Sequence, residues 1–520
     1  MTRAARLVLL CALLVLVASA CGGGSAGAGA DPASAVPAGT SIYVEGVLRP
    51  EGDLRDDVLD AARKLQRTGD PERRIRELVD QGLKKSEGGP LSYGRDVEPW
   101  LGQRAGVWAT GVQRAKPGYV VLVATKDAEK AQQAIDDGIK RARQRVTERS
   151  FADVDYQVGS DGVATGIVGD FLTVGTEAEF KRTITALDGR SLAEDKGYGR
   201  AIGELSDSRL GHFYLDVGPF VEAALRADPK ARGQADQIRA LFPYDKLGPV
   251  AGAFLADGDR LALDTVMTGE GAGVLKSFGL LTATGTTPLL AELPGDAWAA
   301  AGAPQVGRSL KGVFDRVAGA LGGAVAAQQL RESTGLDLEE DVFGWMGDVA
   351  LFVRGSSKAD LEGGLVIQST DEARSTRAFG KFAGLARTQE HQDVQPAQVA
   401  GADAAFRVTN SDLDRPVVLA RGNGRVVLAY GERAAADGLK PAQRLGDADV
   451  FAQAKSTLGG DYEPAFLVSM PAVLAAVEKA GHADPGYARA KPYLEALSVI
   501  AGGNQSEDKR VRSRVAVGLK

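Results

Sequence analysis

Residues 96–102 read Asp-Val-Glu-Pro-Trp-Leu-Gly, and residues 341–347 read Asp-Val-Phe-Gly-Trp-Met-Gly. Each stretch leads into an apolar run of the kind that forms a buried strand, at 105–109 and 349–353. The two stretches lie 245 residues apart, which is close to half of the 520-residue chain. This spacing is the first sign that the chain contains two related halves.

Four further matches follow in the same order, so that the five together lie at offsets of 244 to 256. They pair VLVATKD (121–127) with VIQSTD (366–371), GDFLTVG (169–175) with GRVVLAYG (424–431), LDVGPF (215–220) with LVSMPA (467–472), and LGPVAGAFLADGDR (247–260) with LSVIAGGNQSEDKR (497–510). Ordered self-similarity of this kind indicates an ancient duplication. We therefore expect two units, 41–285 and 286–520, each near the upper size of a single hydrophobic core.

Each unit mixes helix and strand periodicity. Ser41–Leu48 alternates as a strand does, whereas the apolar residues of 54–65 recur at helical spacing. Later apolar runs are short and are joined by Gly-containing turns, such as 160–162. Strands that follow one another through short turns pair antiparallel. The predicted fold class is therefore α+β, with each unit a mainly antiparallel sheet packed with helices.

The N-terminus has the pattern of a secretory signal. Two arginines precede an apolar run, Leu7–Val17, that is too short to span a bilayer. Small residues then lead to Cys21, and the stretch resembles a bacterial lipoprotein lipobox, although Ala18 stands where Leu is commonest. The resemblance implies cleavage between Ala20 and Cys21 and attachment of a lipid to the Cys21 thiol. The alternative is an ordinary cleaved signal with an incidental Cys.

Residues 21–40 are rich in Gly, Ala, Ser and Pro, which predicts a flexible tether between the lipid and the folded body. The expected order is thus a signal peptide at 1–20, a tether at 21–40 and the two units. The expected location is the outer face of the cytoplasmic membrane, with the protein lipid-anchored. Because Cys11 leaves with the signal and Cys21 carries the lipid, the mature protein would have no free thiol.

Composition excludes several classes of protein. Hydrophobic residues make up 44% of the chain and charged residues 25%, as in globular proteins. The net charge of −6 argues against a dedicated nucleic-acid binder. Two Cys and three His are too few for zinc clusters or a disulfide framework.

The three histidines form no catalytic or metal-binding pattern. His212 falls in a strand pattern, His391 in a polar loop and His482 at a helix end, where structural or solvated roles are expected. The stretch 269–277, GEGAGVLKS, lacks the Gly that precedes the Lys in a phosphate loop. We therefore expect no enzyme activity, no metal and no cofactor. The less favoured alternative is a hydrolase built from Ser and Asp/Glu without His.

Charged stretches have simple structural interpretations. Residues 53–60 (DLRDDVLD) and 336–341 (LDLEED) suit helix starts, and the basic run 140–145 suits a helix end. A row of three arginines, Arg510, Arg512 and Arg514, alternates along the last predicted strand. The row would either dock on anionic headgroups or wall polymer, or protect an exposed strand edge, and we favour the second.

The mature chain resembles a bacterial lipoprotein family catalogued as domain of unknown function 3352. The resemblance rests on PAGTSIYVEGVLRPEGDLRDDVLDAARKL from Pro37, on DVEPWLG from Asp96 and on LPGDAWAA from Leu293, and it covers both units. It implies an extracytoplasmic lipoprotein of the kind found largely in actinobacteria and cyanobacteria. The family carries no established activity, so no catalytic residue is transferred.

The sequence therefore predicts a non-enzymatic envelope lipoprotein. It would bind a lipid, a wall component or a protein partner, in a groove between the units or on a sheet face, and no nucleic acid. The alternative function is a structural or assembly scaffold beside a membrane complex. Cys21 is the one site residue to which the sequence commits, because nothing in the pattern identifies a ligand contact.

Overall fold

A computed structural model of the protein describes residues 29–84, 91–110, 118–269, 285–321, 323–388, 393–409, 413–481, 484–507 and 509–520. The predicted signal peptide with Ala20, the lipidation residue Cys21, His391, His482 and residues 270–277 of the rejected phosphate loop lie outside this part of the chain. The chain divides into two compact units at Thr268, with the stretch Gln237–Pro243 grouped with the second unit. The predicted division at 41–285 and 286–520 stays a prediction.

The first unit is built around one antiparallel sheet. Its strands are β1 (Ile42–Val47), β2 (Leu101–Ala109), β3 (Tyr119–Thr125), β4 (Val146–Phe151), β5 (Val154–Gly159), β6 (Val163–Val168), β7 (Phe171–Thr176), β8 (Gly211–Asp216), β9 (Pro249–Asp257) and β10 (Arg260–Thr268). They pair in the order β4–β5–β6–β7–β3–β2–β1–β8–β9–β10. The helices between these strands are α1 (Gly52–Gln66), α2 (Pro71–Lys84), α3 (Ala128–Ala142), α4 (Glu177–Asp188), α5 (Lys196–Ile202), α6 (Val217–Ala227), α7 (Pro229–Arg232) and α8 (Ala235–Leu241). Most of α8 belongs to the stretch that is grouped with the second unit.

The second unit repeats this order of elements. Its helices are α9 (Pro288–Ala291), α10 (Val306–Leu321), α11 (Gly323–Thr334), α12 (Glu372–Thr388), α13 (Glu432–Leu439), α14 (Asp449–Leu458), α15 (Met470–Lys479) and α16 (Pro485–Leu494). Its strands are β11 (Ala299–Ala303), β12 (Met346–Arg354), β13 (Glu362–Ser369), β14 (Asp393–Pro396), β15 (Ala404–Thr409), β16 (Val417–Gly422), β17 (Arg425–Tyr430), β18 (Pro464–Ser469), β19 (Leu497–Glu507) and β20 (Arg510–Leu519). They pair as β14–β15–β16–β17–β13–β12–β11–β18–β19–β20.

The predicted α+β class with antiparallel sheets is confirmed. Corresponding strands have the same neighbours in both units, while the origin of this likeness in a duplication stays an interpretation. The predicted end of one helix was wrong. The helix expected to run to Arg145 ends at Ala142, because Arg143 adopts a left-handed conformation, and the chain then forms β4.

The stretch that first indicated the repeat has the same structure in each unit. A single π-helical turn, Tyr93–Val97 or Leu338–Phe343, is followed by a Trp. The indole N–H of Trp100 donates to the Asp96 carbonyl and that of Trp345 to the Asp341 carbonyl, both at 2.8 Å. This local bond aims each Trp at the core beside the start of β2 or β12.

The sheet of the first unit has a core on both faces. One face carries Tyr43, Trp108 and Leu122, all 0% exposed. The other face carries Val121 and Val123, which pack with side chains from α1 and α2. Because side chains alternate across a strand, neighbouring valines and leucines of β3 serve the two different cores.

The predicted tether, 21–40, was too long. Pro32–Ala35 form a 3₁₀ turn capped by Asp31, and Ala33, Ala35 and Val36 are 0% exposed within the first core. We call Asp31–Thr40 the first strap. The small residues that predicted flexibility instead fit a crowded core, because they have little side-chain bulk.

The second unit has an equivalent strap, Thr287–Asp296. The backbone N–H of Leu192 donates to Val36 O in the first unit, and that of Leu445 donates to Leu293 O in the second, both at 2.7 Å. Pro37 forms an isolated bridge with Ser191, and Pro294 forms one with Arg444. The straps thus occupy the same place in their respective units.

Candidate functional site

A row of seven residues crosses one face of each sheet. In the first unit, the first row contains Val174, Val121, Val107, Val44, Phe213, Gly252 and Thr265. In the second unit, the second row contains Leu428, Leu365, Leu351, Ala301, Phe466, Gly502 and Val515. Each member is the direct ladder partner of the next, and directly paired residues share a face of the sheet. The two rows therefore fill corresponding places.

The two rows differ in exposure. In the first row, Val121 is 2% and Val174 is 8% exposed, although Val44 reaches 38%. In the second row, Leu351 is 46% exposed, Leu428 45% and Val515 41%. Leu365, Ala301 and Phe466 between them are partly exposed, and Gly502 is buried. A single exposed apolar residue is ordinary, but several on one face of a sheet are the kind of patch that marks a binding surface.

Helix cover accounts for part of this difference. In the first unit, Val58, Leu59 and Ala62 of α1 and Ile75, Val79 and Leu83 of α2 form one cluster with Val121. Helix α1 also reaches the β9–β10 turn, where Lys64 forms an ion pair with Asp259. These helix side chains cover the first row at β3 and shield Val121 from water.

The corresponding helix of the second unit leaves its own apolar side exposed. Helix α10 contacts β12 and the π-helical turn, with Phe314 and Phe343 rings 5.7 Å apart. Leu310, Val313 and Val317 of α10 recur at helical spacing and are 39%, 37% and 40% exposed. The second unit therefore exposes two apolar surfaces, one on β12 with its neighbours and one on α10.

Each row contains a phenylalanine ring that lies over a glycine of the neighbouring strand. A Cβ placed on Gly252 would overlap the Phe213 ring, and a Cβ on Gly502 would overlap the Phe466 ring. The missing side chains let each ring lie flat across the neighbouring strand. The Phe–Gly pair keeps the middle of each row smooth and apolar.

A buried polar cluster distinguishes the first unit. The Tyr43 hydroxyl donates to Glu45 Oε2 at 2.7 Å, and Tyr198 Oη lies 2.8 Å from His212 Nε2. Glu45 Oε2 is 4.0 Å from His212 Nε2. Burial raises the pKa of Glu45 to about 6, and burial lowers the pKa of His212 to about 3. His212 thus lies on a strand as expected, buried and neutral.

The cluster satisfies its own hydrogen-bonding groups, which favours a structural role. Ala300, Gly302, Phe451 and Ala465 stand at the corresponding positions of the second unit. The exchange of four polar residues for apolar or small ones leaves that part of the second core without titratable groups.

The second unit has a buried ionic cluster at a different place. Arg354 is 3% exposed, and its guanidinium lies 2.7 Å from Glu362, 2.6 Å from Asp437 and 3.3 Å from Asp296. Burial disfavours the charged guanidinium, but the hydrogen bonds to Asp437 and Glu362 outweigh it and raise the pKa of Arg354. Arg415 lies 2.8 Å from the second Glu362 oxygen. The charges compensate one another, so this cluster links strands and helix rather than offering a site.

The arginine row predicted on the last strand lies away from the second row. Arg514 is adjacent to Val515, so its side chain points to the opposite face. Its guanidinium lies 4.6 Å from the Tyr462 ring centroid and donates to Leu458 O at 2.7 Å. Arg510 pairs with Glu507 at 2.5 Å. Arg514 is thus held against its own unit, which does not favour headgroup binding by the whole row.

The acidic stretches have the local roles that the sequence suggests. Residues 53–60 lie within α1, and Asp337 caps the π-helical turn by accepting from the Glu339 and Glu340 N–H groups. Within the described residues, no group of three or more His, Cys, Asp or Glu side chains is placed to hold a metal ion. No helix in the same part of the chain is long and apolar enough to cross a membrane.

These features define a two-unit α+β protein whose second sheet exposes an apolar row. A family model described as "Protein of unknown function (DUF3352)" matches residues 60–517, and the chain belongs to this family. A search of curated proteins found no match.

Three crystal forms of TP0453 are similar among solved structures. Form I is 9% identical with a TM-score of 0.24, and the match covers 46% of this chain and 79% of that chain. Form IV is 12% identical with a TM-score of 0.25, covering 50% and 88%. Form III is 10% identical with a TM-score of 0.23, covering 46% and 81%. Likeness at this level supports no statement about function.

Proposed function

We propose that the protein is a lipid-anchored lipoprotein outside the cytoplasmic membrane that binds an apolar chain along the second row, without catalysing a reaction. The signal pattern ending at Cys21 supports the anchor. The exposure of Leu351, Leu428 and Val515, on a face whose counterpart is partly sealed in the first unit, carries the binding function.

The dimensions and chemistry of the second row favour an acyl chain as the ligand. Seven adjacent strands at about 4.8 Å spacing give a line roughly 29 Å long and one side chain wide. Its members are aliphatic except for Phe466 and Gly502. Protein-binding hot spots are enriched in Trp, Tyr and Arg, which the row lacks. The alternative of a scaffold that docks a protein on the same face remains an outcome of the test.

The binding test uses a fluorescent fatty acid and the purified full chain. Leu351→Lys should weaken binding about tenfold or more, because it places a charge beside the buried part of the ligand. Leu187→Lys is the matched control, since Leu187 is similarly exposed at 37% but lies on α4 of the first unit. Equal loss in both variants, or no binding by the wild type, would contradict the acyl-chain function. A protein subunit retained by the wild type and released by Leu351→Lys would instead favour the scaffold.

The anchor is tested separately. Cys21→Ser should move the protein from the membrane fraction to the soluble fraction, because the thiol is the proposed point of lipid attachment. Membrane retention of that variant would contradict the anchor and leave the binding test unaffected.

A further inference from the structure

The chain enters the first unit at one end of its sheet. The backbone N–H of Gly29 donates to Gln103 Oε1 at 3.1 Å. Arg104, the next residue, pairs with Val47 at the end of β1, and the Val47 N–H donates to Leu210 O at 2.7 Å. We call the surface made by Val47, Gln103, Arg104 and Ser206–Leu210 the root end.

The first strap leads away from the root end. It passes into β1 at Ser41, whose carbonyl accepts from the Asp216 N–H at 2.9 Å. Ser41 lies at the opposite end of the sheet, because β1 begins there and finishes at Val47. Since the strap residues Ala33, Ala35 and Val36 are fully buried, the strap does not lengthen the tether.

The stretch of sequence between Cys21 and Gly29 is short. The sequence places eight residue steps between Cys21 and Gly29. At full extension they span about 28 Å, and as a Gly-rich coil about 16 Å. A compact unit of about 240 residues has a radius of gyration near 18 Å. At its coil length the tether stays at the root end, and only a nearly fully extended tether lying along the sheet would reach the other end.

We propose that the root end of the first unit faces the lipid bilayer. This inference rests on the proposed lipid at Cys21. Arg104 is 43% and Arg209 21% exposed there, and their guanidinium groups suit the phosphate oxygens of headgroups. The fully exposed Asp207 lies in the same loop, so the tether length, rather than net charge, sets the orientation.

The experiment compares one label at each end of the sheet. Ser208→Cys is exposed at the root end, and Ser160→Cys is exposed in the β5–β6 turn at the far end. The introduced thiol is the sole free one, because Cys11 is removed and Cys21 is lipidated in the mature protein. The lipidated full chain is reconstituted into phosphatidylcholine and phosphatidylglycerol vesicles that carry a headgroup-attached spin-label quencher.

The expected result is at least about twofold stronger quenching at Ser208→Cys, since a six-residue strand separates the two ends by about 20 Å. Inserting twenty Gly/Ser residues after Gly24 should remove most of that difference. Equal quenching at both sites with the native tether, or stronger quenching at Ser160→Cys, would overturn the orientation while leaving the anchor in place. Failure of the chain to stay with the vesicles would overturn the anchor and the orientation together.

Discussion

The first and second rows occupy corresponding places in two sheets of the same topology, but they belong to different environments. Val121 and Val174 are part of a core, whereas Leu365 is only partly buried and Leu428 is 45% exposed. The second row has a leucine at three places where the first row has a valine, and two of these leucines, Leu351 and Leu428, are exposed to water. This is the reverse of what stability alone favours, because exposing apolar area forgoes about 25 cal/mol per Å² of burial.

The two units also bury their polar groups at different places. The first unit keeps a titratable group, Glu45, inside its core, while the second has Gly302 at that position. The second unit places its buried charges around Arg354, where the first has Thr110. The shared fold therefore tolerates different interiors, and the differences between the units show which features serve one unit alone.

The largest effect is expected at the ionic cluster of the second unit. Arg354→Met should destabilise that unit by about 3–5 kcal/mol, because the buried Glu362 and the partly buried Asp437 lose the guanidinium that lies between them. Amide hydrogen exchange of β12 and β13 measures the loss, and β2 and β3 report on the first unit. An equal loss of protection in both units would contradict the conclusion that the cluster stabilises the second unit alone.

A surface member of the same cluster provides the control. Arg433 is 71% exposed and lies 3.3 Å from Asp296. Arg433→Ala should cost less than about 1 kcal/mol, because exposed ion pairs contribute little. A cost equal to that of Arg354→Met would show that burial does not explain the effect.

The next effect tests whether the Phe–Gly pairs are equivalent. Gly252→Ala and Gly502→Ala should each cost about 1–3 kcal/mol, because the added methyl forces the Phe213 or Phe466 ring from the neighbouring strand. Each loss should be confined to its own unit in hydrogen exchange. A neutral result in the second unit alone would show that its Phe466 ring is free to move aside, and would sharpen the contrast between a closed and an open row.

A third prediction uses the pH dependence of the first unit. The pKa of Glu45 is about 6 in the folded protein, above its ordinary value of 4.5. The folded state therefore binds this proton more tightly, and Glu45 adds stability as the pH falls through 6, reaching about 2 kcal/mol below 4.5. His212 acts in the opposite sense, because its lowered pKa removes stability as the pH falls below 6.5.

Glu45→Gln isolates the carboxyl term. Between pH 7.5 and 4.5, the free energy of unfolding of the wild type relative to Glu45→Gln should rise by about 1.6 kcal/mol. The groups that set the shift besides burial are Tyr43, Asp31, Arg104 and Arg209. Strands of the second unit, with Gly302 in place of Glu45, should show no such difference. A constant difference across this pH range would mean that Glu45 titrates at its ordinary value.

Sequence patterns predicted the α+β class with mainly antiparallel sheets, because periodicity and turn residues are local. The matching of residues between units was less accurate. The sequence paired Gly175 with Gly431 and Leu215 with Leu467, whereas the ladders match Gly175 with Ala429 and Leu215 with Val468. A shift of one residue moves a side chain to the other face of a sheet.

The second row could not be found from sequence for a related reason. Leu351 and Leu428 read as core residues, and their exposure depends on where α10 lies. The first strap was missed because Ala and Gly suit both a flexible tether and a crowded core. Cys21 was identified because a lipidation signal is a local pattern, and its modification stays a prediction.

The smallest effect gives the most direct test of the two rows. Val121→Thr should cost the first unit about 1–2 kcal/mol, because the new hydroxyl is buried at a position that is 2% exposed. Leu351→Thr should change the stability of the second unit by less than about 0.5 kcal/mol, as surface substitutions usually do. Denaturant titrations followed by hydrogen exchange measure both.

The two Thr variants together show whether other parts of the second unit cover the second row in solution. A cost near zero at Leu351, together with weaker binding of the fluorescent fatty acid, would mean that the leucine is retained for a ligand rather than for the fold. A cost above about 1 kcal/mol at Leu351 would show that α10 or another part of the unit covers the second row in solution. The second row would then be a core wall like the first, and the exposed face could not be the binding surface.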